Sequence, residues 1–241
     1  KELEKEMKEE QERKKLEEER KKREEQERKR LEEERKKKEI LEAVIEAQEK
    51  ERYEISNELH DNLSQVLTTC KLLMETAEKE SKSRYIQHSR EYLQKAIDEM
   101  RSLSHQLNPA TLKFIGLEGA LKEMINKVNN SGRTHIKLEF LLKESQELND
   151  NIQLALFRIV QEQINNILKH ANAKNVFIRL AKAANKIEMS ISDDGQGYDM
   201  SIKKHGLGLR NIFNRAELYK GTAQIFTSPG RGFRLEVQIP T

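Results

Sequence analysis

Between Leu41 and Leu107 the seam residues recur at steps of three and four, a spacing that only a helix can gather onto one side. Leu41, Ile45, Gln48, Arg52, Ile55 and Leu59 form a heptad seam with two polar members. Leu63, Val66, Cys70, Leu73 and Ala77 continue it after a second consecutive step of four, a stutter that falls on His60. A stutter locally unwinds a supercoil, so two packings of similar energy are expected there. The polar segment Glu78–Arg84 interrupts the pattern. A second stripe follows in Ile86, Ser89, Leu93, Ala96, Met100, Leu103 and Leu107, ended by Asn108–Pro109. These stripes predict an αα-hairpin. One hairpin cannot bury both, so a homodimer forming a four-helix bundle is the economical solution.

Upstream, all of residues 1–39 except Leu3, Met7, Gln11, Leu16, Gln26 and Leu31 are charged. Glu precedes Lys or Arg by four positions at Glu9–Arg13, Glu10–Lys14, Glu17–Lys21, Glu18–Lys22, Glu24–Arg28 and Glu32–Lys36. Each such pair supports a helix by about 0.2–0.5 kcal/mol. With so few apolar residues, a solvated single helix fits this rod as readily as a tight coiled coil. Acids and bases nearly cancel, leaving +3 over 241 residues, which argues against a nucleic-acid binder. No apolar run reaches the roughly 18–20 residues needed to cross a bilayer. Cys70 is the single cysteine and suits a reducing compartment. The chain starts at Lys1 and reads as a piece of a longer protein.

His60 follows the seam residue Leu59, so it should lie beside the core and reach solvent. Asp61 adjoins it, and Gln65 stands one turn beyond Asp61. A carboxylate can hold one imidazole nitrogen protonated and free the other as a nucleophile. His88 and His105 lack an acidic neighbour and read as helix-surface residues.

The remainder predicts helices at 117–128, 152–170 and about 209–218, with strands at 135–141, 175–180, 187–192, 223–227 and 233–239. Helices grouped against a largely antiparallel sheet make an α+β sandwich. Three boxes carry its chemistry. In EQINNILKH (162–170), Glu162, Asn166 and Lys169/His170 share one face of an apolar helix, where an Mg-triphosphate would supply partners. In SDDGQG (192–197), a carboxylate at a strand end could accept the exocyclic amine of adenine. In HGLGLR (205–210), glycines open a helix whose first amides can meet phosphate.

EKERYEISNELHDNLSQVL resembles the phosphoacceptor box of bacterial sensor histidine kinases, in the subfamily of nitrate and membrane-fluidity sensors. The later boxes are similar to those of the ATPase fold shared by histidine kinases, gyrase and Hsp90-like proteins. The resemblance covers about residues 49–241. It implies His60 as phosphoacceptor, Asp61 as base, and Gln65 as the residue orienting water for dephosphorylation of a response regulator. It places Glu162 in the catalytic set, Asn166 on Mg²⁺, Lys169 and His170 in the ATP site, and Asp193 on adenine. Gly195 and Gly197 would form the base pocket, with Gly206, Leu207 and Gly208 in a small phosphate lid. Gly230 and Gly232 match the last glycine pair. Phe233 stands where many relatives carry Thr, and Asn165 leaves a register alternative to Asn166.

The implied organisation is a charged helical segment (1–50), a dimerisation and phosphotransfer domain (51–110) and an ATP-binding domain (111–241). The implied setting is the bacterial cytoplasm, with a receiver domain as partner. Two rival readings are an ATP-driven conformational machine and a coiled-coil protein with a degenerate nucleotide domain.

Overall fold

A computed structural model describes residues 2–80, 84–107, 110–142, 148–199 and 206–240. The chain divides into two compact units, 1–46 and 47–241. Helix α1 spans Glu2–Glu58 and carries a ladder of ion pairs four residues apart. Glu17–Lys21, Glu18–Lys22 and Glu32–Lys36 pair at 2.8–3.0 Å, whereas Glu24 turns back to Arg20 at 3.2 Å rather than to Arg28. Leu16 and Leu31 are exposed. The side chains of Glu9, Glu10, Lys14 and His105, and residues Asn108, Pro109 and His205, lie outside the described set.

At the stutter the backbone leaves the α-helix. Leu59–Leu63 is one π-helical turn, followed by α2 (Ser64–Glu80). Two steps of four overshoot an α-helical stripe, and a wider turn takes up the excess rotation. Helix α3 (Arg84–Leu107) packs back on α2. Ile97 and Met100 are its buried apolar residues, so the stripe sits one residue from Ala96, which is exposed. Ser56 of α1 and Ser104 of α3 clasp each other: each hydroxyl donates to the other's carbonyl, at 3.1 and 3.2 Å.

Helix α4 (Ala110–Asn130) is broken at Gly116, whose φ of 69° lies in the left-handed region open to glycine. Strand β1 (His135–Leu141) follows, then α5 (Asp150–Asn166), capped by Asn149 accepting from the Asn151 amide. A second π-helical turn, Ile167–Ala171, extends α5. Strands β2 (Asn175–Ala183) and β3 (Lys186–Asp193), helix α6 (Leu207–Leu218), and strands β4 (Thr222–Thr227) and β5 (Phe233–Pro240) complete the fold. The sheet order is β1-β2-β3-β5-β4; β1 runs parallel to β2 and the other pairs are antiparallel.

Alternation buries one face of this sheet. Ile178, Leu180, Ile187, Met189, Ile191, Leu235 and Ile239 meet Leu117 and Leu121 of α4, Leu156 and Ile159 of α5, and Ile212 of α6. The fold is the α+β arrangement foreseen: long helix, helical hairpin, then a helix-on-sheet sandwich. Among the described residues no helix is long and apolar enough to cross a membrane.

Candidate active site

The chemistry-bearing residues fall into two groups. His60 stands on the first π-helical turn, which packs on α2 and α3. Its Nδ1 lies 3.0 Å from the Asp61 carboxylate. Both side chains are open to solvent, 74% and 71% exposed, so Nε2 can be approached from outside. Gln65 opens outward in the first turn of α2. His88 is exposed as well, with no described partner to orient it.

The second group surrounds a cavity of about 440 Å³. Asn166 and His170 close it from the α5 side, Asp193 and Gly197 from the end of β3, and Gly206, Leu207 and Gly208 from the start of α6. Lys169 points elsewhere and is exposed. The reason is local: the π-helical turn begins at Ile167, and its wider spacing takes Lys169 off the face Asn166 occupies while bringing His170 onto it. Asn165 is exposed and does not line the cavity.

Three glycines belong to the frame. A side chain at Gly197 (φ 59°) would strike the Ser228 carbonyl, and one at Gly232 (φ 69°) would strike that of Asp193. At Gly195 it would strike the Ala171 carbonyl. Gly230 (φ 75°) has open space around it. Glu162 lies outside the cavity lining, yet its carboxylate fills the place a side chain on Gly208 would take.

Four buried polar atoms without a hydrogen-bond partner among the described residues line this one cavity: Gln163 Oε1, Asn166 Nδ2, Asp193 Oδ2 and Tyr198 Oη. Such atoms are costly to leave bare, by about 1–3 kcal/mol each, which is how a ligand site differs from a packing defect. Burial raises the Asp193 carboxyl above the ordinary 3.8, opposed by the Gly195 amide and assisted by neighbouring Asp194. Burial also raises the Tyr198 phenol.

Gln163, Gln196 and Tyr198 escaped the sequence reading. Tyr198 stacks on Phe233 with centroids 6.0 Å apart and planes 25° from parallel. Phe233 therefore supplies a flat apolar wall where a hydroxyl was in question. The available signal was Tyr198 itself, an aromatic directly after Gly197.

Comparison with known families matches residues 51–112 to a histidine kinase model, and residues 151–241 to the histidine kinase-, DNA gyrase B- and HSP90-like ATPase model. The chain carries the two regions of a histidine kinase core. The first match spans the His60 group and the second spans the residues around the cavity. The kinase is 29% identical over 206 residues to the signal transduction histidine-protein kinase/phosphatase DegS of Brevibacillus brevis. That match covers 82% of the kinase and 53% of the relative, so the chain spans about half the length of the curated relative it matches. The crystal structure of full-length ShkA in complex with AMPPNP shares its fold, at TM-score 0.50 and 19% identity, covering 79% of this chain and 45% of that one. The histidine kinase domain of an Erythrobacter litoralis blue-light activated kinase is also similar, at TM-score 0.48 and 17% identity over 73% of this chain and 94% of that one.

Proposed function

We propose that the protein binds ATP with magnesium in the cavity, phosphorylates His60, and passes the phosphoryl group to an aspartate of a response-regulator receiver domain. The observation that carries this is the pairing of an oriented, solvent-facing imidazole with a cavity holding four unsatisfied polar groups. Asp61 accepts the Nδ1 proton of His60, which leaves the Nε2 lone pair for attack on the γ-phosphorus. The bond from that phosphorus to the β–γ bridging oxygen breaks as the N–P bond forms, and ADP leaves. The receiver carboxylate then takes the phosphoryl group from nitrogen and restores His60.

Asp193 Oδ2 would accept the adenine amine, and the Tyr198–Phe233 pair would flank the base. The α6 amides at Leu207 and Gly208, opened by Gly206, would meet phosphate. Magnesium, when bound, neutralises charge on the β- and γ-phosphates. The residues present fit it. Asn166 Oδ1 lies toward Gly208, where an amide oxygen could ligate the cation, and its buried unpartnered Nδ2 could donate to a phosphate oxygen. Among the described residues no three His, Cys, Asp or Glu side chains converge as a metal site, which suits a cation arriving with the nucleotide.

Gln65, a turn past Asp61, would hold the water that dephosphorylates the regulator. Leu63, Val66, Leu72, Leu73 and Leu103 are 48–65% exposed on the hairpin, and a second copy would cover them as a four-helix bundle. We place the chain on the cytoplasmic side, with 1–50, 51–110 and 111–241 as signalling, phosphotransfer and ATP-binding segments.

Incubation with γ-labelled ATP tests the reading. Acid-labile label should appear on the wild-type chain and be absent from His60→Ala, with ATP affinity within a few-fold of wild type. Phosphate release without protein label would indicate a conformational ATPase instead. Label persisting on His60→Ala would move the acceptor elsewhere.

A further inference from the structure

Glu49 binds two helices at once. Its Oε2 accepts from Arg158 Nη2 at 2.7 Å and from Nε at 3.1 Å, while its Oε1 accepts from Arg215 Nη2 at 2.6 Å. The two guanidiniums are 2% and 7% exposed and Glu49 is 19% exposed, so this is a buried cluster rather than a surface pair. Arg158 Nη2 also donates to the Leu107 carbonyl at 2.7 Å, where α3 ends, and its Nη1 donates to Gln161 at 2.8 Å.

The positions of these residues give the cluster a meaning beyond stability. Arg158 lies eight residues before Asn166 on α5, and Arg215 lies seven residues after Gly208 on α6. The same two helices therefore wall the ATP cavity at one end and meet Glu49 at the other. Glu49 itself stands eleven residues before His60 on α1, about 16 Å along a helix axis. In this arrangement His60 has Asp61 as its one hydrogen-bond partner among the described residues and is largely open to solvent. Phosphoryl transfer requires the reacting atoms to come within about 3–3.5 Å. None of the residues lining the cavity belongs to α1, α2 or α3, so the domain has to move to deliver it, and the Gly116 break in α4 offers a joint beyond Leu107.

We propose that Glu49, Arg158 and Arg215 form a latch that holds the ATP-binding domain docked on α1 and away from His60, and that autophosphorylation requires it to open. This rests on the function proposed above. The latch is a positioning device: none of its three residues lines the cavity. A single carboxylate serves both arginines, so a small displacement of α1 at Glu49 would loosen both helices together.

Two measurements test it on the full chain. The first is the autophosphorylation rate of Glu49→Gln at saturating ATP. The latch predicts a rise of at least about threefold, with ATP affinity by calorimetry within twofold of wild type. A rate equal to or below wild type at intact ATP affinity overturns it. The second needs no activity. Spin labels at Thr68→Cys and Thr222→Cys, in a Cys70→Ala background diluted with excess unlabelled Cys70→Ala chain, should give one narrow distance in the parent and a broadened or longer one with Glu49→Gln. An unchanged narrow distribution overturns the latch. A parent chain that takes no phosphoryl label from ATP yet shows the distance change would sink the kinase reading and leave Glu49 only as the contact that docks the domain on α1.

Discussion

Asp193 and Asp194 adjoin in sequence and are used in opposite ways. Asp194 accepts from the Lys174 and Asn175 amides and from Asn175 Nδ2, at 2.8–2.9 Å, and its carboxyl is held below the usual range chiefly by Asn175. Asp193 accepts from the Gly195 amide at 2.9 Å and keeps its other oxygen buried and unpaired at the cavity. One carboxylate ties β2 to the turn after β3; the other is available to a ligand.

Asp193→Asn should therefore weaken ATP binding by roughly ten- to a hundredfold, the worth of one hydrogen bond to a charged group at about 1.5–3 kcal/mol. The unliganded fold should lose nothing, because a half-buried charge is removed. Asp194→Asn should do the reverse, costing about 1–2 kcal/mol of stability after solvent screening with little change in affinity. Calorimetry and urea unfolding on both variants check the pair. If both lose affinity equally, the division of labour is wrong.

Asp193 also sets a pH dependence. The acceptor is the carboxylate, and burial raises its pKa above 3.8. As pH falls, ATP affinity should begin to drop at a higher pH than an ordinary aspartate would allow. Asp193→Asn should flatten that limb of the profile. A wild-type limb no higher than an unperturbed aspartate predicts would count against Asp193.

Glu49 gives the opposite sign in stability. Burial pushes its carboxyl up, but Arg158 and then Arg215 more than reverse this, leaving it below 4.5. A carboxyl depressed on folding stabilises above its unfolded pKa and loses that contribution as pH falls through the folded value. The stability gap between wild type and Glu49→Gln should be full near neutral pH and shrink below about 4.5. Urea midpoints across that range measure it, and a pH-independent gap would contradict the shift.

Two alanine substitutions separate glycine roles. Gly230→Ala meets open space and should cost about 1 kcal/mol for its left-handed backbone alone. Gly197→Ala carries the same backbone cost and also strikes the Ser228 carbonyl, so it should cost more and disturb the cavity. Thermal unfolding with and without ATP distinguishes them; equal losses would show that the close approach is unimportant.

Gln65→Ala should leave His60 labelling largely intact and slow the loss of phosphate from the regulator. The two rates are read from the same reaction mixture. Wild-type dephosphorylation would make Gln65 a plain helix-surface residue.

Local pattern determined much of this protein. Steps of three and four fixed the helices, alternation fixed the strands, and glycine pairs with polar neighbours marked the boxes, because each signal lies within a few residues of chain. The π-helical turn at His60 was half legible, as the two steps of four from Ile55 to Leu63. The turn after Asn166 was not, and it keeps His170 at the cavity while leaving Lys169 outside it. Tertiary structure decided the rest. Asp193 differs from Asp194 through what Asn175, far away in sequence, donates, and Phe233 becomes a wall because Tyr198 stacks on it. Glu49 reads as one more acid in a charged helix until Arg158 and Arg215 converge on it from 109 and 166 residues away. Burial and ion pairing depend on such long-range neighbours, and no sequence window contains them.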